Sequence, residues 1–294
     1  MKRVMKRILR VLAGLIALLL LAALAMVATA EWQWRHREPM ANPPLAVAPP
    51  GDGPVLILLH GAGLNGRMWD AVRRDLDPRW RVIAIDLPGH GARRSEPYTL
   101  EAATAAVKQA AAAVAPAPVI LVGDSLGGYT AMAAASALPQ QQLRGLVLGG
   151  SSGNFEPMEI FNYAGNVVMV RTLLAFVDEQ DVLKAAMGKF GFQPADAKAV
   201  LDAGGSIRVV PVAVRALMGE DFKPRLAAIT QPVLIVNGSE DTRAIEKEKG
   251  FIAGLPRAPQ VRHFEHTGHG VSIREPKQFA QMVNAFATQV MEKP

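Results

Sequence analysis

Six short apolar runs punctuate the chain: Val55–Leu59, Arg81–Ile85, Val119–Val122, Leu143–Leu148, Val233–Val236 and Val261–Phe264. Most are continuous rather than alternating, which marks strands covered on both faces, as in a parallel sheet. The segments between them are of helical length, and Leu100–Val114 and Leu126–Leu138 are rich in alanine. A last helix is predicted over Pro276–Met291, with Phe279, Met282, Val283 and Phe286 on one face. Strands alternating with helices predict an α/β fold with a doubly wound, mostly parallel sheet. One stretch breaks the alternation. Phe155 to Ile229 reads as several helices with glycine breaks at Gly188, Gly191, Gly204 and Gly205. It is too long for a plain connection, so an inserted helical lid is expected at about 155–229. Met158, Met169, Met187 and Met218 in that stretch read as packing residues.

A different pattern precedes the sheet. Val11 to Ala30 carries no charge and no proline, directly after Lys2, Arg3, Lys6, Arg7 and Arg10. A helix over such a run spans about 30 Å, the thickness of a bilayer core. The basic cluster is expected to stay on the cytoplasmic side, so the rest of the chain is expected to be exported. Two readings of residues 1–34 stand side by side. The length of the run and the indoles of Trp32 and Trp34 favour a retained transmembrane anchor. Ala28-Thr29-Ala30 offers a small-x-small site for cleavage as a signal peptide, which would release a secreted protein. Six prolines between residues 35 and 54 (Pro39, Pro43, Pro44, Pro49, Pro50 and Pro54) predict an extended linker over 35–53, with a short edge strand at Leu45–Ala48. The main domain is then expected over 54–294.

Composition narrows the function. Of 294 residues, 50% are hydrophobic and 20% charged, which excludes a chain disordered throughout. There is no cysteine, so disulfides, thiol nucleophiles and thiolate metal sites are excluded. The net charge is +6, but five of those charges lie before residue 11. The remainder is near neutral, and no nucleic-acid face is expected. The sequence carries no metal-ligand cluster and no phosphate-binding P-loop.

The candidate chemistry sits where predicted strands end. Val119–Val122 runs into Gly123-Asp124-Ser125-Leu126-Gly127-Gly128 and then a helix. This is G-x-S-x-G in a strand–turn–helix context, a turn that lifts a serine hydroxyl above the sheet. Serine needs a base, and the base an orienting acid. Val233–Val236 leads into Asn237-Gly238-Ser239-Glu240-Asp241, a carboxylate beyond a strand's C-terminal end. Val261–Phe264 leads into Glu265-His266-Thr267-Gly268-His269-Gly270. The order serine, acid, histidine suits this arrangement. His266 is a rival base and Glu240 a rival acid. His60 and His90 read as structural, His263 as a strand residue, and His36 as part of the linker.

With His60-Gly61-Ala62-Gly63 after the first strand, Asp86-Leu87-Pro88-Gly89-His90-Gly91 after the second, and Glu275-Pro276 before the last helix, the chain over roughly 52–292 resembles the α/β-hydrolase-fold serine hydrolases. The resemblance implies Ser125 as nucleophile, His269 as general base and Asp241 as its acid. It implies an oxyanion hole from the backbone N–H groups of Ala62 and Leu126, and no cofactor. Asp124 departs from the pattern, since histidine is commoner there. The reaction implied is hydrolysis of a small hydrophobic ester through an acyl-enzyme. C–C bond hydrolysis, perhydrolysis and acyl transfer would use the same residues, and a non-catalytic ligand-binding module stays open. A further rival is dinucleotide binding, because Gly61-Ala-Gly63-Leu-Asn-Gly66 matches G-x-G-x-x-G and Asp86 follows it by twenty residues. No obligatory protein partner is readable. Phe155, Met158, Ile160, Phe161, Tyr163, Val167, Val168 and Met169 put apolar residues on several helical faces. They lead us to expect short-to-medium acyl chains, held under the lid.

Overall fold

The computed structural model describes residues 2–38, 50–151, 167–168 and 170–292. The first element, α1 (Lys2–Arg35), is a single helix. It is long and apolar enough to cross a membrane, and none of its most apolar window is buried in the rest of the chain.

Beyond it lies an α/β body. Its strands are β1 (Val55–Leu59), β2 (Arg81–Ile85), β3 (Val119–Asp124), β4 (Leu143–Gly149), β5 (Val233–Gly238) and β6 (Gln260–Phe264). Among the described residues they form one six-stranded sheet in the order β2-β1-β3-β4-β5-β6, and every pair is parallel. The apolar runs set these bounds to within two residues. All five residues of β1 are fully buried, as a central parallel strand covered on both faces requires. The connection from β1 runs one way to β2 and the chain then returns to β3 on the other side of β1. The order reverses between β1 and β3, and in open α/β sheets sites usually lie beyond the strand ends at such a reversal.

Two helices that pack on one face are α3 (Leu100–Ala112) and α4 (Leu126–Ala135); α2 (Asp70–Arg73) lies in the β1–β2 connection. Thr99 caps α3 by accepting from the Ala102 N–H at 3.0 Å. All ten residues of α4 are buried, and its alanines let it lie close to the sheet. The insertion between β4 and β5 carries α5 (Glu179–Phe190), α6 (Pro194–Asp202), α7 (Val209–Leu217) and α8 (Lys223–Ala227). The chain ends with α9 (Thr242–Ala253), a short α10 (Val271–Arg274) and α11 (Pro276–Glu292). Phe279, Val283 and Phe286 of α11 are buried as the pattern predicts, while Met282 is only partly so.

Gly188 does not break a helix; it lies inside α5, and the helix stops at Gly191, which takes the left-handed φ of 90° that glycine tolerates. The edge strand expected at Leu45–Ala48 and the apolar cluster from Phe155 to Tyr163, with Met169, lie outside the described residues. The start of the expected linker is docked rather than free. Arg37 donates from Nε to the Arg94 carbonyl at 2.7 Å and from a terminal nitrogen to the Gly89 carbonyl at 2.9 Å. Its guanidinium also lies 4.6 Å from the Trp34 ring centroid. Burial pushes the Arg37 pKa down to about 10.

Candidate active site

The turn after β3 is a tight fit. Ser125 has φ 52° and ψ −114°, a conformation that non-glycine residues adopt at a cost. Its neighbours must be small. A Cβ on Gly123 would stand 2.4 Å from the Gly127 carbonyl, and one on Gly127 would stand 1.9 Å from the Leu59 carbonyl oxygen. The Ser125 N–H donates to the Gly149 carbonyl at 2.7 Å, which ties the turn to β4. Its hydroxyl caps no helix N–H, so it is left for other chemistry.

β5 and β6 deliver the other groups. Asp241 is the N-cap of α9, where Oδ1 accepts from the Ala244 N–H at 3.2 Å. Its Oδ2 accepts from His269 Nδ1 at 2.7 Å. That contact leaves Nε2 as the basic nitrogen of the ring. The imidazole lies over Gly150, where an added Cβ would come within 2.7 Å of Cε1. Ser125 is bonded to Gly149 and His269 stands against Gly150, so both gather at the end of β4.

Electrostatics follow from this packing. Burial opposes charge on His269, but the bond to Asp241 and the carboxylates of Asp124 and Asp241 outweigh it and raise its pKa above the ordinary imidazole range. Burial pushes Asp241 up, yet the bonds from His269 and Ala244 outweigh it and hold the carboxyl below its usual value. Asp124 is fully buried, and burial raises its pKa despite His269 and a bond from the Ser272 hydroxyl. The sequence marked Asp124 only as unusual. Its bond to Ser272, 148 residues away, leaves no trace in any local motif.

The remaining predicted residues fall as follows. Leu126 opens α4, and Ala62 lies in the loop after β1, beside Gly61, whose Cβ position is 3.8 Å from Ser125 Cβ. Among the described residues no hydrogen bond within the protein uses either N–H. His266 and Glu240 point outward, with side chains 92% and 63% exposed, and lie 4.0 Å apart. His60 is fully buried; Nε2 accepts from the Leu87 N–H at 3.0 Å and Nδ1 contacts the Gly61 carbonyl at 2.8 Å. It braces the loop that carries Ala62. His90 is also buried, with Nδ1 on the Pro88 carbonyl. His263 lies on β6 and bonds to Glu248, which in turn accepts from Asn237 Nδ2 at 2.7 Å. Asn237 Oδ1 accepts from the Gly150 N–H at 3.1 Å, so this chain, buried at Asn237 and Glu248, supports the backbone under His269. Sequence reasoning passed over Asn237, whose only signal was its position next to Gly238-x-x-Asp241, and Glu248, which lies inside α9 and carried no signal.

The glycines of the dinucleotide-like stretch have another use. Asp86 accepts from the Gly66 N–H at 2.7 Å and from the Ala92 N–H at 2.8 Å, so its two oxygens clasp two loops together. Gly66 opens a 3₁₀ turn to Trp69 instead of a long helix. Among the described residues no three His, Asp or Glu side chains gather as a metal site would require.

Comparison with known proteins agrees with this architecture. A pimeloyl-[acyl-carrier protein] methyl ester esterase of Nitrosomonas europaea is 28% identical over 259 residues, covering 80% of this chain and 96% of that one. A 2-hydroxy-6-oxononadienedioate/2-hydroxy-6-oxononatrienedioate hydrolase of Dechloromonas aromatica is 27% identical, covering 79% and 86%. Among solved structures, a thermophilic esterase from Thermogutta terrifontis superposes with a TM-score of 0.65 at 23% identity, covering 82% of this chain and 91% of that one. A membrane phospholipase A described as a bacterial virulence factor superposes with a TM-score of 0.65 at 22% identity, over 99% of this chain and 100% of that one. The profile of the Alpha/beta hydrolase family matches residues 56–282, which take in all of the sheet but Val55, the serine turn and the Asp241–His269 pair. The chain is therefore a hydrolase and belongs to the alpha/beta hydrolase family.

Proposed function

We propose that the protein hydrolyses carboxylic esters with hydrophobic acyl chains, through an acyl-enzyme on Ser125. The observation that carries this reading is the 2.7 Å bond from His269 Nδ1 to Asp241, at the end of the sheet where the Ser125 turn also lies. His269 Nε2 takes the Ser125 proton as Oγ attacks the ester carbonyl. The Ala62 and Leu126 N–H groups bind the oxyanion of the tetrahedral intermediate. The intermediate collapses with expulsion of the alcohol, which receives the proton from His269. Water, activated by the same nitrogen, then releases the acid and regenerates Ser125. The esterase names of the Nitrosomonas and Thermogutta proteins support ester chemistry. The Dechloromonas hydrolase shows why C–C bond cleavage is the second reading.

In this reading the 155–229 insertion is a lid over an apolar acyl pocket, and no cofactor takes part. Residues 1–34 tether the enzyme to a membrane, with the catalytic domain on the outer side; cleavage after Ala30 would release it. The length and exposure of α1 support the tether, as does the match of the membrane phospholipase A along essentially the full chain. A series of p-nitrophenyl esters tests the substrate class. Each buried methylene adds up to ~0.8 kcal/mol of transition-state binding. Thus kcat/KM rises from acetyl to butyryl or hexanoyl and then levels off. A flat series, or a preference for a charged acyl group, would remove the acyl pocket, and activity on C–C substrates without ester hydrolysis would favour the second reading.

A further inference from the structure

Outside α1, the large apolar side chains exposed among the described residues are Val168, Leu173, Phe176, Val177 and Phe190. Four of the five fall between residues 168 and 177, with 66%, 47%, 51% and 41% of their surface open. Single exposed apolar residues are ordinary on soluble proteins, but a contiguous group marks a contact surface. This group has a definite address. Arg171, within it, lies 3.5 Å from Glu31 in the last turns of α1, and the Leu174 carbonyl accepts from Arg208, which precedes α7 in the same insertion. Arg37 fixes the end of α1 to the Gly89 and Arg94 carbonyls. The patch and the foot of the apolar helix are thus held to the same side of the body.

Charge agrees with that address. A groove of about 730 Å³ runs between the foot of α1 and the patch, with Trp34, Val168, Val209 and Val212 among its walls. Arg35, Arg37, Arg94, Arg171 and Arg215 also line it, against one acid, Glu96, which is paired with Arg93; Arg35 and Arg171 share Glu31, which leaves the five arginines in excess over the two acids. Apolar side chains ringed by arginines, next to an indole, match the layering of a phospholipid leaflet, with acyl chains beneath phosphates.

We infer that Val168, Leu173, Phe176 and Val177 form a second membrane contact, seated in the phospholipid leaflet beside α1, so that the neighbouring groove opens toward lipid rather than water. This rests on the tether proposed above and adds to it. A single helix followed by a proline-rich linker would leave the body free to tumble, whereas two contacts fix which face meets the bilayer. The proposal commits to lipid; a protein partner on the patch is an outcome of the test.

The chain has no cysteine, so one introduced thiol is a unique label site. Full-length Phe176→Cys, Leu20→Cys and Arg257→Cys, each carrying an environment-sensitive fluorophore, would be reconstituted into phosphatidylcholine–phosphatidylglycerol vesicles. Leu20 lies in α1, and Arg257 lies in the loop entering β6, at the opposite end of the sheet from Ser125. The inference predicts blue-shifted emission and quenching by spin-labelled lipid at positions 20 and 176 and neither at 257. Water-like emission at 176 with lipid-like emission at 20 would overturn the second contact alone. Lipid-like emission absent at both would overturn the tether itself. Blue-shifted emission at 176 without lipid quenching would assign the patch to a protein surface and also overturn it. A second variant, Leu173→Ser/Phe176→Ser, guards against an effect of labelling. Hydrolysis of a vesicle-embedded ester is expected to fall at least fivefold while p-nitrophenyl butyrate hydrolysis in detergent stays within twofold. Equal rates on both substrates in variant and wild type would contradict the inference.

Discussion

Asp241 holds His269 with one carboxylate oxygen and the start of α9 with the other, at 2.7 and 3.2 Å. The acid therefore cannot rotate away from the imidazole without uncapping a helix. Its geometry is fixed by the fold before any substrate arrives. The proposed mechanism then ranks the variants. His269→Ala and Asp241→Asn are expected to lower kcat by ~10⁴–10⁶, the histidine at least as much, because it carries the proton itself. His266→Ala and Glu240→Gln, both on the exposed side of the same loops, are expected to stay within threefold. Steady-state kinetics on all four variants check the ranking. A dead His266→Ala with an active His269→Ala would reassign the base.

The pH profile tests the electrostatics. His269 must be neutral to accept the proton, and its pKa is raised by Asp241 and Asp124 against burial. The acid limb of kcat/KM is therefore expected above the ordinary imidazole range. Asp124→Asn removes one of the two carboxylates that favour the imidazolium, so the limb should move to lower pH. The sign for stability is opposite in use. A raised histidine pKa stabilises the fold at pH below the unfolded value and loses that contribution as pH rises through the folded value. An acid limb that does not move in Asp124→Asn would show that the buried carboxyl is neutral while the enzyme works.

Steric demand at the serine turn gives a stability prediction. Gly127→Ala places a methyl 1.9 Å from the Leu59 carbonyl oxygen, which belongs to the fully buried β1. Neither side can yield cheaply, and overpacking of this kind costs about 3 kcal/mol or more. Denaturant unfolding should show that loss, or the variant should fail to accumulate. Gly188→Ala, inside α5 with nothing within 4 Å of its added Cβ, should be neutral to stabilising in the same assay.

Much of this was legible in the sequence because two signals were strong. Runs rich in Val, Ile and Leu and bounded by turns read as strands of a parallel sheet, and β1 and β2 fall on the runs residue for residue, although the edge strands β2 and β6 are only partly buried. G-x-S-x-G, Gly238-x-x-Asp241 and Gly268-His269 each sit in a loop following a strand, so one rule about parallel sheets located all three. What escaped was non-local. The Asp124–Ser272 bond and the Asn237–Glu248–His263 chain join residues from different loops, and no spacing announces them. The docking of Arg37 was hidden because a proline-rich composition reports a local conformation and is silent about what the chain lies against. Gly188 misled because an isolated glycine costs a helix only about 1 kcal/mol, less than its neighbours' packing supplies.

The tether makes its own prediction. Activity in cells should sediment with membranes and need detergent for release, since α1 is exposed along its apolar length. Fractionation with N-terminal sequencing checks this. A soluble product beginning at Glu31 would show cleavage after Ala30.

The central claim is that Ser125 is the nucleophile of an acyl-enzyme, and covalent labelling addresses it most directly. The wild-type protein should react with a fluorophosphonate probe at Ser125, identified by mass spectrometry of the labelled peptide, and lose its esterase activity in proportion. Ser125→Ala should take no label and lose at least ~10⁴ in kcat while unfolding at the wild-type midpoint, because alanine fits where serine does. Hydrolysis by pure Ser125→Ala within tenfold of wild type, or label found on another residue, would contradict the account.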